Sequence, residues 1–129
     1  MISTKGRYAL RIMSYLAENK DDNPVSLKDI ADEENIGVKY LEIIVASLNK
    51  SGLLDSVRGK NGGYKLNRNP EEYTLYEILS SAEDTLAPVA CVDKEKCNES
   101  NSCKTYKVWK ELDDVIEDFL KSKTLNDII

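Results

Sequence analysis

The sequence predicts a mainly α-helical fold with one small β-hairpin and a long helix near its C-terminus. Three observations support this prediction: apolar residues recur at helical spacing, a glycine-rich turn separates two short strand patterns, and a broad amphipathic pattern begins at residue 103. A chain of 129 residues is long enough for one modest domain and an appendage. We therefore expect three parts, at residues 1–82, 83–102 and 103–129.

The chain is predicted to begin with three helices. Ser3 or Thr4 can cap the first helix, and Ser26 with Asp29 resembles a capping box that opens a short second one. After a short glycine-containing turn, a third helix is expected to end with Gly52 as its C-terminal cap. Two helices joined by such a turn are typical of a helix-turn-helix motif.

A β-hairpin is predicted directly after the third helix. Residues 53–58 show a strand pattern, and residues 63–66 form a return strand across a loop that carries Lys60. A hairpin in this position is a wing, and the two motifs together are more specific than either alone. The predicted fold class is a winged helix-turn-helix followed by a long dimerisation helix.

Two more helices are predicted after the wing. Thr74 and Glu77 form a capping box before the fourth helix, and a polar loop follows it. The last helix has an apolar stripe at Val108, Trp109, Leu112, Val115, Ile116, Phe119 and Leu120. About 20 residues of helix reach roughly 30 Å, beyond a compact winged domain. Because its apolar face needs a partner, we predict a homodimer.

Composition narrows the function. The chain has no histidine, which excludes Ser-His-Asp and Cys-His catalysis, and we do not expect an enzyme. The net charge of −5 is unevenly placed: residues 1–70 hold 11 Lys and Arg against 9 Asp and Glu, a net of +2, and residues 71–129 hold 7 against 14, a net of −7. The slightly basic first half is compatible with double-stranded DNA as a partner.

The cellular location of the protein is predicted from the membrane-spanning and signal segments that the sequence lacks. No stretch approaches the roughly 20 apolar residues of a membrane span, and the first residues do not form a signal peptide. We therefore expect a cytoplasmic protein without a membrane partner. Three cysteines in a reducing compartment favour metal or redox chemistry over a disulfide framework.

Candidate DNA contacts lie on the third helix and the wing. Lys39 can contact a phosphate or a guanine, Tyr40 a phosphate, and Glu42 a cytosine amino group. Arg58, beside Gly59, can enter a minor groove. The alternative is an ordinary solvated helix face with an exposed turn arginine. The complete predicted contact set is Lys5, Lys39, Tyr40, Glu42, Arg58, Gly59 and Lys60.

The cysteines form a predicted metal site. Cys91, Cys97 and Cys103 are spaced Cys-x5-Cys-x5-Cys among polar residues, whereas buried structural cysteines have apolar neighbours. Three thiolates on flexible spacers can hold a metal centre, and a helix N-terminus at Cys103 would stabilise a thiolate. An iron-sulfur cluster is the favoured group because thiolates are its usual ligands. Zinc and redox-active or inert thiols are the alternatives.

The residues together resemble the small winged-helix bacterial repressors that include the iron-sulfur cluster regulator IscR, the nitric-oxide sensor NsrR and the cysteine-metabolism repressor CymR. The matching positions are residues 3–10, 40–42, 52–53, 56–59 and 62–66, the three cysteines, and Trp109. The resemblance implies a dimeric transcription factor with a cluster on the three cysteines, and IscR-like members favour 2Fe-2S over 4Fe-4S. It also implies that Tyr40, Glu42 and Arg58 match positions used on DNA.

The chain departs from these relatives at the fourth cluster ligand. IscR-like proteins commonly place a histidine where this chain has Tyr106, and the N-terminal aspartate of the 4Fe-4S type of NsrR corresponds to Arg7. The candidates for the fourth ligand are Tyr106, Asp93, Glu95, Glu99, a residue of the other protomer or an exogenous small molecule. The CymR-like branch usually lacks the cysteine triplet, so the triplet argues against that role.

The prediction from sequence is therefore a homodimeric repressor that binds a DNA operator and senses iron-sulfur status, controlling cluster assembly genes. One alternative is a nitric-oxide or redox-sensing repressor of the same fold. Two alternatives come from other classes: a small iron-sulfur electron carrier, and an interaction adaptor with inert thiols.

Overall fold

The computed structural model describes residues 1–19, 21–93 and 103–129. Its helices and strands are α1 (Thr4–Glu18), α2 (Leu27–Glu34), α3 (Val38–Lys50), β1 (Leu54–Val57), β2 (Gly63–Leu66), α4 (Leu75–Ala82) and α5 (Tyr106–Ser122). Short 3-10 turns lie at Pro70–Glu72, Ala90–Val92 and Leu125–Ile128. The mainly α-helical winged fold is confirmed. In the ranges described, no helix combines the length and the apolar composition that a membrane span requires.

The predicted helix-turn-helix consists of α2, a three-residue turn and α3. Asn35 closes α2 in the left-handed conformation with φ of 53°, and Gly37 opens α3 in extended backbone. The Ser26 hydroxyl accepts from the Asp29 backbone N–H at 3.1 Å, as the predicted cap requires. Gly52 follows α3 with φ of +78°, a conformation that favours glycine.

A carboxylate from the residue after α4 caps α1, and the expected cap by a Ser3 or Thr4 side chain is wrong. Glu83, directly after α4, accepts with one oxygen from the Ser3 backbone N–H and hydroxyl, both at 2.7 Å, and from the Gly6 N–H at 3.1 Å. A carboxylate at a helix N-terminus also interacts favourably with the helix dipole. The ends of α1 and α4 are therefore joined.

The other predicted capping box is only half formed. The Thr74 hydroxyl accepts from the Glu77 backbone N–H at 3.1 Å. The Glu77 carboxylate instead accepts from the two terminal nitrogens of Arg68, at 2.8 and 3.0 Å. This ion pair joins the start of α4 to the segment that leaves the wing.

The wing is an antiparallel hairpin whose register runs from Leu54 opposite Leu66 to Val57 opposite Gly63. The second strand also exchanges backbone hydrogen bonds with Val25, two residues before α2, since Tyr64 and Val25 pair at 2.8 and 2.9 Å. A Cβ at Gly63 would meet the Val25 backbone, so this close approach requires glycine. The wing is therefore fixed to the helix-turn-helix.

The main hydrophobic core lies between the first four helices. Side chains from α1, α2, α3 and α4 share it with Tyr73 and with Leu125 of the last 3-10 turn, both fully buried. The Tyr73 hydroxyl lies 2.9 Å from the Leu53 carbonyl oxygen, to which it can donate, and accepts from the Asn67 N–H at 3.0 Å. This residue therefore ties the base of the wing to the core.

The predicted apolar stripe of the last helix divides into two faces. Ile116 and Leu120 pack on α4 in a second, smaller cluster with Leu75 and Leu79. The second face, which we name the outer stripe, is solvent-exposed and consists of Val108, Leu112, Val115 and Phe119. α5 has 17 residues, about 26 Å at the usual rise, and so is somewhat shorter than expected.

Candidate nucleic-acid interface and cysteine site

The outward face of α3 is the candidate DNA-reading surface. Its other face buries Leu41, Ile44, Val45 and Leu48, which fix the helix to the core. Lys39 and Glu42 are exposed on the outward face, where the sequence predicts contacts to DNA. Ile43 lies between them and Ala46, with 57% of its surface exposed.

Tyr40 differs from its neighbours because it is half-buried. Its ring meets the Tyr8 ring edge-on at 5.8 Å, and the Arg11 guanidinium lies over Tyr8 at 5.0 Å. Arg11 in turn pairs with Glu34 of α2 at 3.1 Å. Aromatic and ionic contacts that connect α1, α2 and α3 thus hold Tyr40 in place. The spacing of residues in the sequence does not indicate these contacts.

Lys5 of α1 reaches the same helix. Its ammonium donates to the Ser47 hydroxyl at 3.1 Å, and that hydroxyl donates to the Ile43 carbonyl oxygen at 3.3 Å. A positive charge therefore lies beside the middle of α3. Ile43 and Ser47 stand outside the predicted contact set, although their spacing of four and eight residues from Lys39 places them along the same side of the helix.

The wing tip carries the remaining predicted contacts. Arg58, Gly59 and Lys60 are all exposed. Gly59 has φ of +112° and accepts with its carbonyl oxygen from the Gly62 N–H at 3.1 Å, which closes the loop. The structure therefore presents two basic side chains at the end of a tight hairpin.

Two of the three predicted metal ligands lie beside α5. Cys91 is half-buried in the 3-10 turn Ala90–Val92, which packs against α5. Cys103 is also half-buried; its Sγ lies 3.3 Å from the Thr105 hydroxyl, and its carbonyl oxygen accepts from the Tyr106 N–H that begins α5. Cys97 lies outside the described residues.

An acidic cleft of about 460 Å³ lies between α4, α5 and the segment that leads to Cys91. Glu83, Asp93, Asp113 and Glu117 are among the residues that line it. Burial raises the pKa of Asp113 first, and the negative charges of Glu117, Asp114 and Asp93 raise it further, against the lowering effect of Lys110. The cleft therefore concentrates negative charge on the inner side of α5.

Three carboxylates of this region, on Asp113, Asp114 and Glu117, lie within 4.8 Å of one another. Two of them already have lysine partners, since Asp114 pairs with Lys110 at 2.6 Å and Glu117 pairs with Lys121 at 2.7 Å. Such i,i+4 pairs are ordinary features of an exposed helix. The geometry is that of a surface ion-pair cluster.

Comparison with known proteins assigns these features to one kind of protein. Residues 2–129 match the profile of the Rrf2 family, described as iron-dependent transcriptional regulators. The chain is 35% identical over 128 residues to the HTH-type transcriptional regulator IscR of Pectobacterium atrosepticum, a match that covers 99% of this chain and 78% of the relative.

Two solved structures have the same fold. CymR, the global cysteine regulator of B. subtilis, is 37% identical with a TM-score of 0.79, over 99% of this chain and 95% of its own. IscR of T. potens is 36% identical with a TM-score of 0.79, over 99% of this chain and 85% of its own.

Proposed function

The chain belongs to the Rrf2 family of iron-dependent transcriptional regulators, and from this premise we propose that it is a homodimeric repressor that senses iron-sulfur status. Its broader class, a DNA-binding transcriptional regulator, follows from the family and the IscR relative, and it replaces the electron-carrier alternative. One observation carries the finer proposal. Cys91 and Cys103 both border α5, the helix that also exposes the outer stripe.

The outer stripe supports the dimer. Its four apolar side chains recur at helical spacing and are 39–64% exposed, while Leu120 is the one residue of α5 that is buried. Apolar stripes of this kind pack against another helix. In a two-fold dimer the same stripe of the partner covers it, which requires no other protein.

The cysteines fit an iron-sulfur cluster by their chemistry. Cys91, Cys97 and Cys103 would hold it, and the two described thiols are half-buried, which suits a group shielded from bulk water. Asp93, buried beside Cys91, and Tyr106, at the start of α5, are the described candidates for the fourth ligand. When bound, the cluster supplies a link between the two segments that depends on iron and redox conditions. A 2Fe-2S cluster is the favoured type.

The IscR-like role is preferred over the CymR-like role because of the cysteine triplet. Overall similarity does not separate them, since the two solved structures have equal TM-scores and nearly equal identities. Among the repressors that this chain resembles, the cysteine triplet is typical of the members that bind a cluster. The genes for cluster assembly are accordingly the proposed targets.

The proposed mechanism is a population shift between two dimer geometries. Residues 1–82 form the reading part, residues 83–102 the sensor loop and residues 103–129 the dimerisation part. Cys91, Cys97 and Cys103 would hold the cluster, and a cluster held there would join the sensor loop to the start of α5 and change the spacing of the two α3 helices on successive half-sites. Lys39 and Glu42 then meet base edges, while Arg58 and Lys60 meet the adjacent backbone and minor groove. The protein acts in the cytoplasm, where the chromosome lies.

Anaerobic reconstitution tests the cluster. We expect a brown protein with stoichiometric iron and sulfide, and Cys91→Ser, Cys97→Ser and Cys103→Ser should each lose both, whereas Ser122→Ala at the far end of α5 should retain them. Among Asp93→Asn and Tyr106→Phe, the variant with a changed absorption spectrum identifies the fourth ligand. A colourless, iron-free wild-type protein would refute cluster sensing and favour a thiol redox sensor.

DNA binding by the apo and cluster-loaded forms tests the reading part. Arg58→Ala should weaken operator binding by about tenfold and lower the salt dependence by about one phosphate contact, since a wing arginine contacts the backbone and minor groove. Lys107→Ala on α5 removes the same charge away from the DNA and should bind as wild type. Equal affinity and equal salt dependence for Arg58→Ala would contradict the proposed wing contact. If nitric oxide releases the cluster-loaded form from DNA, this result would favour the alternative of a nitric-oxide-sensing repressor.

A further inference from the structure

Ile43 occupies the centre of the candidate reading surface, and the fold does not use its side chain. It is 57% exposed, while Ile44, the next residue, is fully buried in the core. Lys39 lies one turn before it and Ala46 nearly one turn after it, and both are exposed. A polar side chain at this exposed position would not destabilise the fold, so folding does not require an apolar residue here.

A positive charge lies close to Ile43 on the same side of α3. The Lys5 ammonium is held 3.1 Å from the Ser47 hydroxyl, and Ser47 donates to the Ile43 carbonyl oxygen. The positive charge of Lys5 therefore lies one turn from Ile43. Because the Ser47 hydroxyl already has two partners, Ile43 and Ala46 dominate the middle of the face.

The chemistry of the major groove determines what such a side chain can read. An isoleucine neither donates nor accepts a hydrogen bond, so it cannot identify a base by the polar groups on its edge. Among the four bases, only thymine presents a methyl group in the major groove. Apolar contact with that methyl is the one form of direct base reading open to Ile43.

We propose that Ile43 is a specificity-determining residue that reads the C5 methyl group of a thymine in each operator half-site. The inference rests on the proposed DNA-binding function and adds the chemical group that is recognised. Lys39 and Glu42, which precede Ile43 on the same face of α3, read polar groups of the neighbouring base pairs, so the half-site has one position defined by apolar contact.

The experiment begins with selection of binding sites from random double-stranded DNA, using the full chain in its apo and cluster-loaded forms. Each thymine of the enriched motif is then replaced by deoxyuridine, which keeps base pairing and removes only the methyl group. At one thymine per half-site we expect binding to weaken about fourfold per methyl, the effect of one buried carbon. Substitution at the other thymines should leave affinity unchanged.

The variant Ile43→Ala connects the effect to this side chain. It should bind the thymine and deoxyuridine operators equally, because the contact is already absent, and its exposed position predicts a normally folded protein. Ile128→Ala, which truncates an exposed isoleucine of the C-terminal turn, should keep the wild-type sensitivity to deoxyuridine.

The outcomes separate the inference from the proposed function. An enriched motif that tolerates deoxyuridine at every thymine overturns the inference and leaves the DNA-binding function intact. Sensitivity that persists in Ile43→Ala assigns the methyl contact to another residue and also overturns it. Failure to enrich any motif with either form overturns the proposed function, and the inference with it.

Discussion

The helices α3 and α5 both expose large apolar side chains, but they differ in how many of their residues are buried against the rest of the chain. α3 buries four residues of its thirteen, at Leu41, Ile44, Val45 and Leu48, whereas α5 buries only Leu120 of its seventeen. The exposed face of α3 mixes charged and apolar residues. The outer stripe of α5 is apolar over its four positions.

The difference shows what each helix needs from outside the chain. α3 is fixed by the core, so its outward face is available to a partner with both polar and apolar groups, as the edges of base pairs are. α5 has too little buried surface to be fixed by its own chain alone, and its outer stripe needs an apolar partner. In the proposed dimer, α5 would set the distance between the two α3 helices.

The largest expected effect comes from placing a charge in the outer stripe. Leu112→Glu should raise the dimer dissociation constant by more than about a thousandfold, because two unpaired carboxylates would be buried per dimer at several kcal/mol each. Sedimentation equilibrium should show a monomer. This monomer should remain folded and bind the operator only weakly. The control is Lys107→Glu on another side of α5, which should remain dimeric. A dimeric Leu112→Glu protein would remove the outer stripe from the interface.

The second effect concerns how firmly the core holds α3. Ile44→Ala should lower the free energy of unfolding by about 2–5 kcal/mol, since it leaves a cavity at a fully buried site. Val115→Ala, truncating a residue that is 64% exposed, should cost less than about 0.5 kcal/mol in the monomeric Leu112→Glu background. Urea unfolding measures both. Equal losses would contradict the contrast between the helices.

A third and smaller effect tests the joint between the two regions. Glu83→Gln removes the charge that caps α1 from the end of α4, and should lower the free energy of unfolding by about 1 kcal/mol. Thermal unfolding in low salt should show this loss, and high salt should reduce it. Asp84→Asn, the adjacent and exposed carboxylate, is the matched control. A loss of equal size there would mean that general charge, and not capping, is responsible.

The smallest effect concerns the acidic inner side of α5. Because the pKa of Asp113 is raised in the folded state, its ionised form opposes folding, and this penalty is present above the raised pKa and disappears as the pH falls through it. Asp113→Asn should therefore stabilise the protein at pH 7, by up to about 0.5 kcal/mol, with no gain near pH 3. Unfolding temperatures across this pH range test the sign. A gain independent of pH would point to packing instead.

Local patterns explain why the helix-turn-helix and the wing could be predicted from sequence. The capping serine before α2, the glycine after α3 and the glycine-rich turn of the wing act over a few residues, so their effect does not depend on the rest of the fold. The acidic and basic halves can likewise be counted directly. For these reasons the wing strands lie within one residue of their predicted bounds, and the predicted cap residues Ser26 and Gly52 lie at the start of α2 and after the end of α3.

Contacts between distant residues were beyond such reasoning. The cap of α1 comes from Glu83, which is 80 residues from Ser3, and the position of Tyr40 depends on Tyr8 and Arg11 of another helix. No periodicity encodes such pairs, because they arise only when separate elements pack. The exposure of Ile43 beside Lys5 belongs to the same class of information.

The sequence by itself determined the winged helix-turn-helix, the division of charge and the cysteine spacing, since each depends on residue type and short-range order. Tertiary structure decided how the apolar stripe of α5 is divided. An amphipathic pattern states that a helix has an apolar side, but packing on α4 selects Ile116 and Leu120 as the inner face and leaves the outer stripe in solvent. The physical reason is that a stripe this broad exceeds the surface that one neighbouring helix can cover.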